Sequence, residues 1–284
     1  MRGWRAAPLA LAFVAAIADA EVKAPEFTGE WTQGEALIGH AAPGAEVWFQ
    51  DRILRVSPTG LFVFGLGRDE TGPVKVRIKQ GAEEQTFSYD VKARTYQIQP
   101  INGLPEGMVN PPKSAWKRIE KDNQRVAEAR GFDTNRENFA WGFQWPVIGP
   151  IAGVYGSQRI LNGVPKQPHF GTDIAVPTGT PIRATAGGIV RLARTDLYYT
   201  GGTVIIDHGY GITSTYLHMS RVDVKPGEEV QKGEVIGAVG MTGRATGPHL
   251  CFRFNWFDTR LDAALMVGPM PTAEAPAAAT EERK

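Results

Sequence analysis

The sequence predicts a mostly β protein with an N-terminal Ig-like β-sandwich, one connecting helix and a C-terminal antiparallel β domain. Apolar and polar residues alternate strictly over residues 74–79 and 87–91, which is typical of half-buried antiparallel strands. Short apolar runs separated by glycine turns recur over residues 188–257, with no long amphipathic helix between them, which disfavours a βαβ arrangement. The 33 Gly and 20 Pro residues provide the many turns that such a chain needs.

The elements follow in a definite order. Residues 21–100 contain several short alternating strands and predict the β-sandwich module. Residues 101–145 form a linker that starts rich in Gly and Pro and then contains one helix over residues 113–130. Ser114 is the expected N-cap of that helix and Gly131 its C-terminal stop. Residues 146–268 form the second β domain, and residues 269–284, rich in Ala, Pro and Glu, predict a disordered tail.

The first 20 residues have the pattern of an export signal. Arg2 and Arg5 precede an apolar run over residues 8–17, and the small-x-small sequence Ala18-Asp19-Ala20 follows. A retained membrane anchor is the alternative, but the run is too short to span a bilayer. We therefore expect cleavage after Ala20, no membrane anchor after signal removal, and a periplasmic or secreted protein.

Charge and cysteine content restrict the partners. Removal of the signal takes two of 31 basic and one of 30 acidic residues, which leaves equal numbers of each. A neutral chain argues against a nucleic-acid partner. The only cysteine, Cys251, excludes an intramolecular disulfide. Nothing in the sequence demands more than a monomer.

Four of the five histidines lie in the second domain, and two short segments could bind metal. His249 and Cys251 share one face of a predicted strand with Arg253, which suits a zinc site. His169 and Asp173 would lie about 13 Å apart in a straight strand, but Gly171 between them permits a bend. Each segment alone is more often structural, since Cys is commonly buried without a function and a loop His–Asp pair commonly forms turn hydrogen bonds.

Three motifs occur in the order typical of one enzyme family. They are His-x-x-x-Asp at 169–173, Tyr-x-His at 216–218 and Thr-Gly-Arg-x-Thr-Gly-Pro-His-Leu at 242–250. Together they resemble the lysostaphin-type zinc metallopeptidases, also called LytM-like, over about residues 146–268. Residues 25–110 resemble, less specifically, the β-sandwich module that precedes this domain in some Gram-negative members.

The resemblance implies roles for particular residues. It makes His169 and Asp173 ligands of one Zn²⁺ per chain, and it makes His218 and His249 catalytic residues whose separate roles stay open. Where the family usually has a third histidine ligand, this sequence has Cys251. Four candidates for the walls of the substrate groove follow the same comparison: Asn162, Tyr199, Thr242 and Arg244.

The cysteine changes the charge of the expected site. Cys is a normal zinc ligand, so a metal site is still expected. A thiolate in place of a neutral imidazole lowers the net charge of the centre from about +1 to about zero and weakens the metal as a Lewis acid. We therefore expect a somewhat higher working pH than with a histidine in this position.

Three functions compete at this point. The sequence favours an exported zinc metalloendopeptidase that hydrolyses the peptide cross-links of peptidoglycan, the D-Ala–diaminopimelate bond in particular. The alternative is a metal-free degenerate homologue that binds cell wall or activates an amidase, although such proteins usually lose several site residues. A β-rich adhesin ranks last, because it leaves the histidine, aspartate and cysteine motifs unexplained.

Overall fold

The computed structural model describes residues 22–271. The predicted signal peptide and all of the predicted tail after residue 271 lie outside this range. Within it the protein is mostly β, and the predicted fold class is confirmed.

The N-terminal module consists of two antiparallel sheets, in the strand orders β1-β2-β5 and β4-β3-β6-β7. Its strands are β1 (Glu26–Thr28), β2 (Ala36–His40), β3 (Glu46–Phe49), β4 (Arg52–Ile53), β5 (Leu61–Gly65), β6 (Val74–Gln80) and β7 (Glu83–Tyr89). Val74, Val76 and Ile78 are buried, as their alternation predicts. The sheets meet through aromatic side chains: the rings of Phe49 and Phe64, one from each sheet, stack with their centroids 4.1 Å apart.

The second β-rich part is built around a sheet of eight strands, in the order β18-β14-β15-β16-β20-β12-β9 with β21 paired to β20. A small sheet in the order β13-β19-β17 lies beside it. The strands are β9 (Ile151–Gly153), β10 (Gln158–Leu161), β11 (Val164–Pro165), β12 (Thr172–Ile174), β13 (Pro181–Arg183), β14 (Gly188–Leu197), β15 (Gly201–Gly209), β16 (Ile212–Met219), β17 (Arg221–Val222), β18 (Glu229–Val230), β19 (Val235–Ala238), β20 (Leu250–Trp256) and β21 (Thr259–Leu261). A short helix, Ala263–Val267, follows β21.

Strand β15 is buried along its whole length. One face of β15 belongs to the main core, and the other packs Ile205 against Ala129 and Val126 of the long helix Lys113–Arg130. The helix occupies the predicted residues and ends at Gly131, but the predicted cap Ser114 is wrong. Pro112 is at the N-cap position, because its extended backbone leads directly into the helix.

The chain between the two β regions is not a free linker. Strand β8 (Ile98–Ile101) runs parallel to β10, which joins it to the second region. A short helix, Glu106–Val109, follows, and a 3₁₀ turn at Asn138–Trp141 leads into the main sheet. The β-sandwich packs against the main sheet through Phe49 and Trp256, whose ring centroids are 6.0 Å apart. None of the helices within residues 22–271 is long and apolar enough to cross a membrane.

Candidate metal centre

Strand register brings the predicted metal ligands together. Asp173 on β12 lies opposite Cys251 on β20, and Leu217 on β16 lies opposite Cys251 from the other side. The next residue after Leu217 is His218. The other neighbour of Asp173 is Gly153 on β9, where a Cβ atom would lie 2.5 Å from Asp173 Oδ2. Glycine at 153 therefore leaves the space that the carboxylate needs.

His169, Asp173 and Cys251 each offer one ligand atom, and these atoms all lie within 4.8 Å of one another. His169 Nε2 is 3.4 Å from Cys251 Sγ and 3.1 Å from Asp173 Oδ1. Tetrahedral zinc with ordinary N, O and S bond lengths would separate its ligand atoms by roughly 3.3–3.6 Å. The two separations from His169 Nε2 are therefore close to those expected in a tetrahedral zinc site.

Hydrogen bonding around these atoms supports the same fit. The carbonyl of Val154 lies 3.3 Å from His169 Nδ1, so Nδ1 carries the proton and a neutral imidazole has an unprotonated Nε2. Asp173 Oδ1 is buried and has no hydrogen-bond partner within the described chain. A buried oxygen without a partner costs free energy unless a cation binds it, so the donor set of imidazole, carboxylate and thiolate suits Zn²⁺.

The electrostatics of the three ligands are strongly coupled. Burial alone would raise the pKa of Asp173, but the charges of His169 and Arg159 hold that pKa well below its usual range. The guanidinium of Arg159 donates to Asp173 Oδ2 at 2.6 Å, which leaves Oδ1 directed toward His169. Burial lowers the pKa of His169, and the negative charges of Asp173 and Cys251 outweigh it, so that the pKa is raised. The cluster thus has a high affinity for positive charge.

The two predicted catalytic histidines stand beside this cluster. The ring centroids of His218 and His249 are 4.8 Å apart, and His249 Nε2 is 3.8 Å from Asp173 Oδ1. Each donates its Nδ1 proton to a backbone carbonyl at 2.8 Å, His218 to Thr242 and His249 to Gly247. Both rings therefore present an unprotonated Nε2 when neutral.

Burial keeps both rings neutral. It lowers the pKa of His218 to about 4, although the Thr242 carbonyl and Asp173 oppose the shift. It lowers the pKa of His249 as well, again against the charge of Asp173. His218 also has a positive φ of 64°, a conformation that side chains rarely adopt. Its backbone N–H donates to the Thr200 carbonyl at 2.9 Å, which holds the residue in place.

Two of the four predicted groove residues contact the linker. Asn162 pairs with the backbone of Leu104 through both its amide nitrogen and its amide oxygen. Arg244 donates to the Met108 carbonyl at 3.2 Å and lies over the ring of Tyr199. The third, Tyr199, thus contacts the guanidinium of Arg244 through its ring. The fourth, Thr242, accepts a hydrogen bond from the Gly202 N–H and donates one to the Met219 carbonyl through its hydroxyl.

Residues 104–110 thus bridge two loops, and we call them the covering segment. Leu104 and Val109 pack with Leu161 in a small apolar cluster. The Tyr198 hydroxyl donates to the Gly107 carbonyl at 2.7 Å. The covering segment therefore rests on both of the loops that were predicted to border the substrate.

Two arginines at the site were not predicted as functional residues. Arg159 binds Asp173, and Arg253 Nε lies 3.4 Å from Cys251 Sγ. The sequence gives a signal for Arg253 only, through its shared strand face with Cys251. His208 is fully buried and bonded to the Gly187 carbonyl and the Ser214 hydroxyl, and His40 is exposed in the β-sandwich, so neither belongs to the site.

The part of the chain that contains the metal centre is similar to known proteins. Residues 167–263 match the model of peptidase family M23. The chain is similar to the peptidoglycan DD-endopeptidase ShyA of Vibrio cholerae, at 40% identity over 124 residues that span 42% of this chain and 28% of ShyA. It is also similar to the DD-carboxypeptidase/endopeptidase Mpg of Neisseria meningitidis, at 46% identity over 82 residues that span 29% of this chain and 19% of Mpg. The chain thus spans about a quarter of the length of these curated relatives.

A solved structure extends the likeness beyond the metal centre. A crystal structure of a Pseudomonas aeruginosa protein assigned to peptidase M23 superposes with a TM-score of 0.61 at 28% identity, covering 84% of this chain and 94% of that one. The arrangement of the β-sandwich, linker and main sheet is therefore shared with a known protein.

Proposed function

Residues 167–263 form a peptidase M23 domain, and on that premise we propose that the chain is an exported zinc metalloendopeptidase that hydrolyses peptide cross-links of peptidoglycan. The observation that carries the proposal is the convergence of His169, Asp173 and Cys251 beside two neutral histidines. The D-Ala–diaminopimelate bond is the favoured cross-link, because ShyA is a peptidoglycan DD-endopeptidase.

His169, Asp173 and Cys251 would hold the metal, with Arg159 fixing the carboxylate. When bound, zinc supplies a Lewis acid that polarises the scissile carbonyl and acidifies water. A metal site with three protein ligands has a position left for reaction, which distinguishes catalytic from structural zinc sites.

His218 and His249 supply the proton transfers. One of them accepts a proton at Nε2 from the attacking water and, once protonated, can give it to the leaving amine, whereas the other can donate a hydrogen bond to the oxyanion only when its own Nε2 is protonated. The water oxygen forms the new bond to carbon, the C–N bond breaks, and the proton ends on the amine nitrogen. His249 is the more open of the two, with 16% of its side chain exposed.

The test joins metal content to product chemistry. The protein and its Cys251→Ser variant are assayed for zinc per chain by mass spectrometry and for release of fragments from purified sacculi. We expect about one zinc in the native protein, much less in the variant, and products cut between D-Ala and diaminopimelate. Absence of zinc after incubation with the metal, together with intact sacculi, would favour the alternative of a non-catalytic protein that binds wall or activates an amidase.

A further inference from the structure

Arg253 has an unusual partner for an arginine of a β-strand. It follows Cys251 by two residues on β20, so the two side chains share a face, and its Nε donates to Cys251 Sγ at 3.4 Å. Within residues 22–271 no carboxylate lies within ion-pair distance of Arg253. The sulfur is thus the one side-chain acceptor that the described structure gives this guanidinium.

Two other arginines contribute positive charge near Arg253. Burial and then the charge of Arg253 lower the pKa of Arg260 to about 10, and Arg130 also lies within the field of both. Opposite Arg253 on β16 stands Thr215, whose buried hydroxyl has no hydrogen-bond partner in the described chain. An arginine in such surroundings is stabilised by an anion, and the sulfur of Cys251 is the group placed to provide one.

Gly171 makes the close approach possible. A Cβ atom at 171 would lie 2.7 Å from Arg253 Cγ and 3.1 Å from Cys251 Sγ. The same glycine stands between the ligands His169 and Asp173 in the sequence. Its missing side chain therefore leaves room for the contact between the arginine and the sulfur.

We propose that Arg253 is a positioning residue that holds Cys251 as an anionic zinc ligand and offsets its charge. The inference rests on the proposed function and concerns how a thiolate can replace an imidazole in this site. Arg159 performs the equivalent task for Asp173, so each anionic ligand contacts a guanidinium. An N–H donor on a thiolate withdraws electron density from the sulfur, which weakens its donation to zinc and keeps the metal a stronger Lewis acid.

The proposal predicts that Arg253 and Cys251 act as a coupled pair. Arg253→Met is expected to weaken zinc binding roughly 10- to 100-fold, because the loss of the group that orients and stabilises the Cys251 thiolate outweighs the stronger donation of the released sulfur. In a Cys251→His background the same change is expected to alter zinc binding by no more than about twofold, since the sulfur that Arg253 contacts is absent and the effects of contacting residues are not additive. Zinc affinity is measured on the full chain by competition with a chromophoric chelator. An equal loss in both backgrounds would show a merely structural role and overturn the proposal.

Cobalt supplies a readout that does not depend on activity or on the histidine variant. With Co²⁺ in the native chain, the sulfur-to-cobalt charge-transfer band reports how strongly the thiolate donates. Arg253→Gln, which keeps much of the side-chain size without the charge, is expected to shift this band to longer wavelength. An unchanged band in a folded Arg253→Gln protein would overturn the proposal, and this variant also replaces Arg253→Met if the latter fails to fold.

Metal binding and the role of Arg253 give distinguishable results in these experiments. A native protein that binds neither zinc nor cobalt removes the proposed function itself. A native protein that binds zinc through Cys251, with no effect of Arg253 on affinity or on the cobalt band, leaves the proposed function intact and removes only the role of Arg253.

Discussion

Asp173 Oδ1 lies 3.1 Å from His169 Nε2 but forms no hydrogen bond with it. Burying two such polar atoms without a partner costs free energy, and a zinc ion bound to both would remove that cost. Zinc binding to the folded state should therefore stabilise it, by about 4 kcal/mol when free zinc exceeds its Kd a thousandfold.

Removal of the metal is thus expected to lower the Tm by several degrees. The Tm of the protein is measured by calorimetry with added zinc and again after treatment with EDTA. Asp173→Asn is the matched control, because it retains the shape of the side chain and lacks the charge that the metal needs. Equal Tm values for the native protein in zinc and in EDTA would contradict the predicted metal site.

His249→Ala should abolish hydrolysis without removing zinc. The ring contributes an unprotonated Nε2 beside the ligands but is not one of the three convergent donors. Loss of a general acid or base costs typically 10²- to 10⁴-fold in rate. The rate of sacculus digestion and the zinc content are measured side by side, with His40→Ala, an exposed histidine of the β-sandwich, as the control. Loss of zinc in the His249 variant would instead make this residue a ligand.

The acid limit of activity should lie well below the pKa of free histidine. Burial lowers the pKa of His218 to about 4 and lowers that of His249 from 6.5 as well. A lowered pKa keeps the base unprotonated as the pH falls, so kcat/KM is expected to hold down to about pH 5 and to decline below it. The profile is measured on soluble cross-linked muropeptides at fixed zinc and salt concentrations. An acid limb at pH 6.5 or above would contradict the neutral, buried state of these rings.

The pH dependence of kcat/KM of the Cys251→His variant should differ from that of the native protein, and it is measured in the same way. A neutral third ligand leaves more positive charge on the metal and should move the optimum to lower pH than in the native protein. A pH optimum for Cys251→His at or above that of the native protein would contradict the prediction that the thiolate weakens the metal as a Lewis acid.

The sequence predicts the parts of this site that depend on local geometry. The shared face of Cys251 and Arg253 follows from strand alternation alone, because residues two apart point the same way. The approach of His169 to Asp173 was compatible with a bend at Gly171, but only the resemblance to a known family assigned them to one metal. A straight strand would have separated them.

Other features depend on tertiary structure that no local pattern carries. Arg159 reaches Asp173 from β10, fourteen residues earlier in the chain. The complete burial of β15 needs a helix on its outer face, and the covering segment was predicted only as a linker with Gly and Pro. These contacts depend on how distant elements pack against one another, which local sequence patterns do not predict.

Glu35 should make the stability of the protein fall between about pH 4.5 and 7. It lines a cavity of about 770 Å³ between the β-sandwich and the main sheet, and burial raises its pKa from 4.5 to about 7. Over that window the folded state binds more protons than the unfolded state. The contribution of Glu35 to the free energy of unfolding is therefore fully present below about pH 4.5 and is lost as the pH rises to about 7, by at most about 3 kcal/mol.

Glu35→Gln removes the titration and keeps an acceptor for the Ala36 N–H, which Glu35 Oε1 accepts at 3.1 Å. The variant is expected to unfold at higher urea concentration than the native protein at pH 8 and at a similar concentration at pH 4.5. Urea unfolding at both values measures this, and Glu83→Gln, at an exposed position of β7, is the control. If the urea midpoints of the variant and the native protein differ by the same amount at pH 8 and at pH 4.5, the pKa of Glu35 is not raised in the folded state.

Release of the covering segment should accelerate digestion of sacculi. The segment is held by the packing of Val109 and Leu104 on Leu161, and its backbone accepts from Arg244. Val109 is only 2% exposed, so Val109→Asp puts a charge into the small apolar cluster and disfavours the bound position of the segment. Because the cluster is separate from the main core, the rest of the fold is expected to persist, with full zinc content.

The rate of dye release from labelled sacculi is expected to rise severalfold in Val109→Asp, together with faster proteolysis within residues 104–110. Ile98→Asp is the matched control, since this side chain lies on the preceding strand and is 67% exposed. The rate on a small soluble muropeptide should rise less than the rate on sacculi, because a small substrate needs less of the groove. An unchanged or reduced rate on sacculi in a folded, zinc-loaded Val109→Asp protein would show that the segment supports the groove rather than restricting access to it.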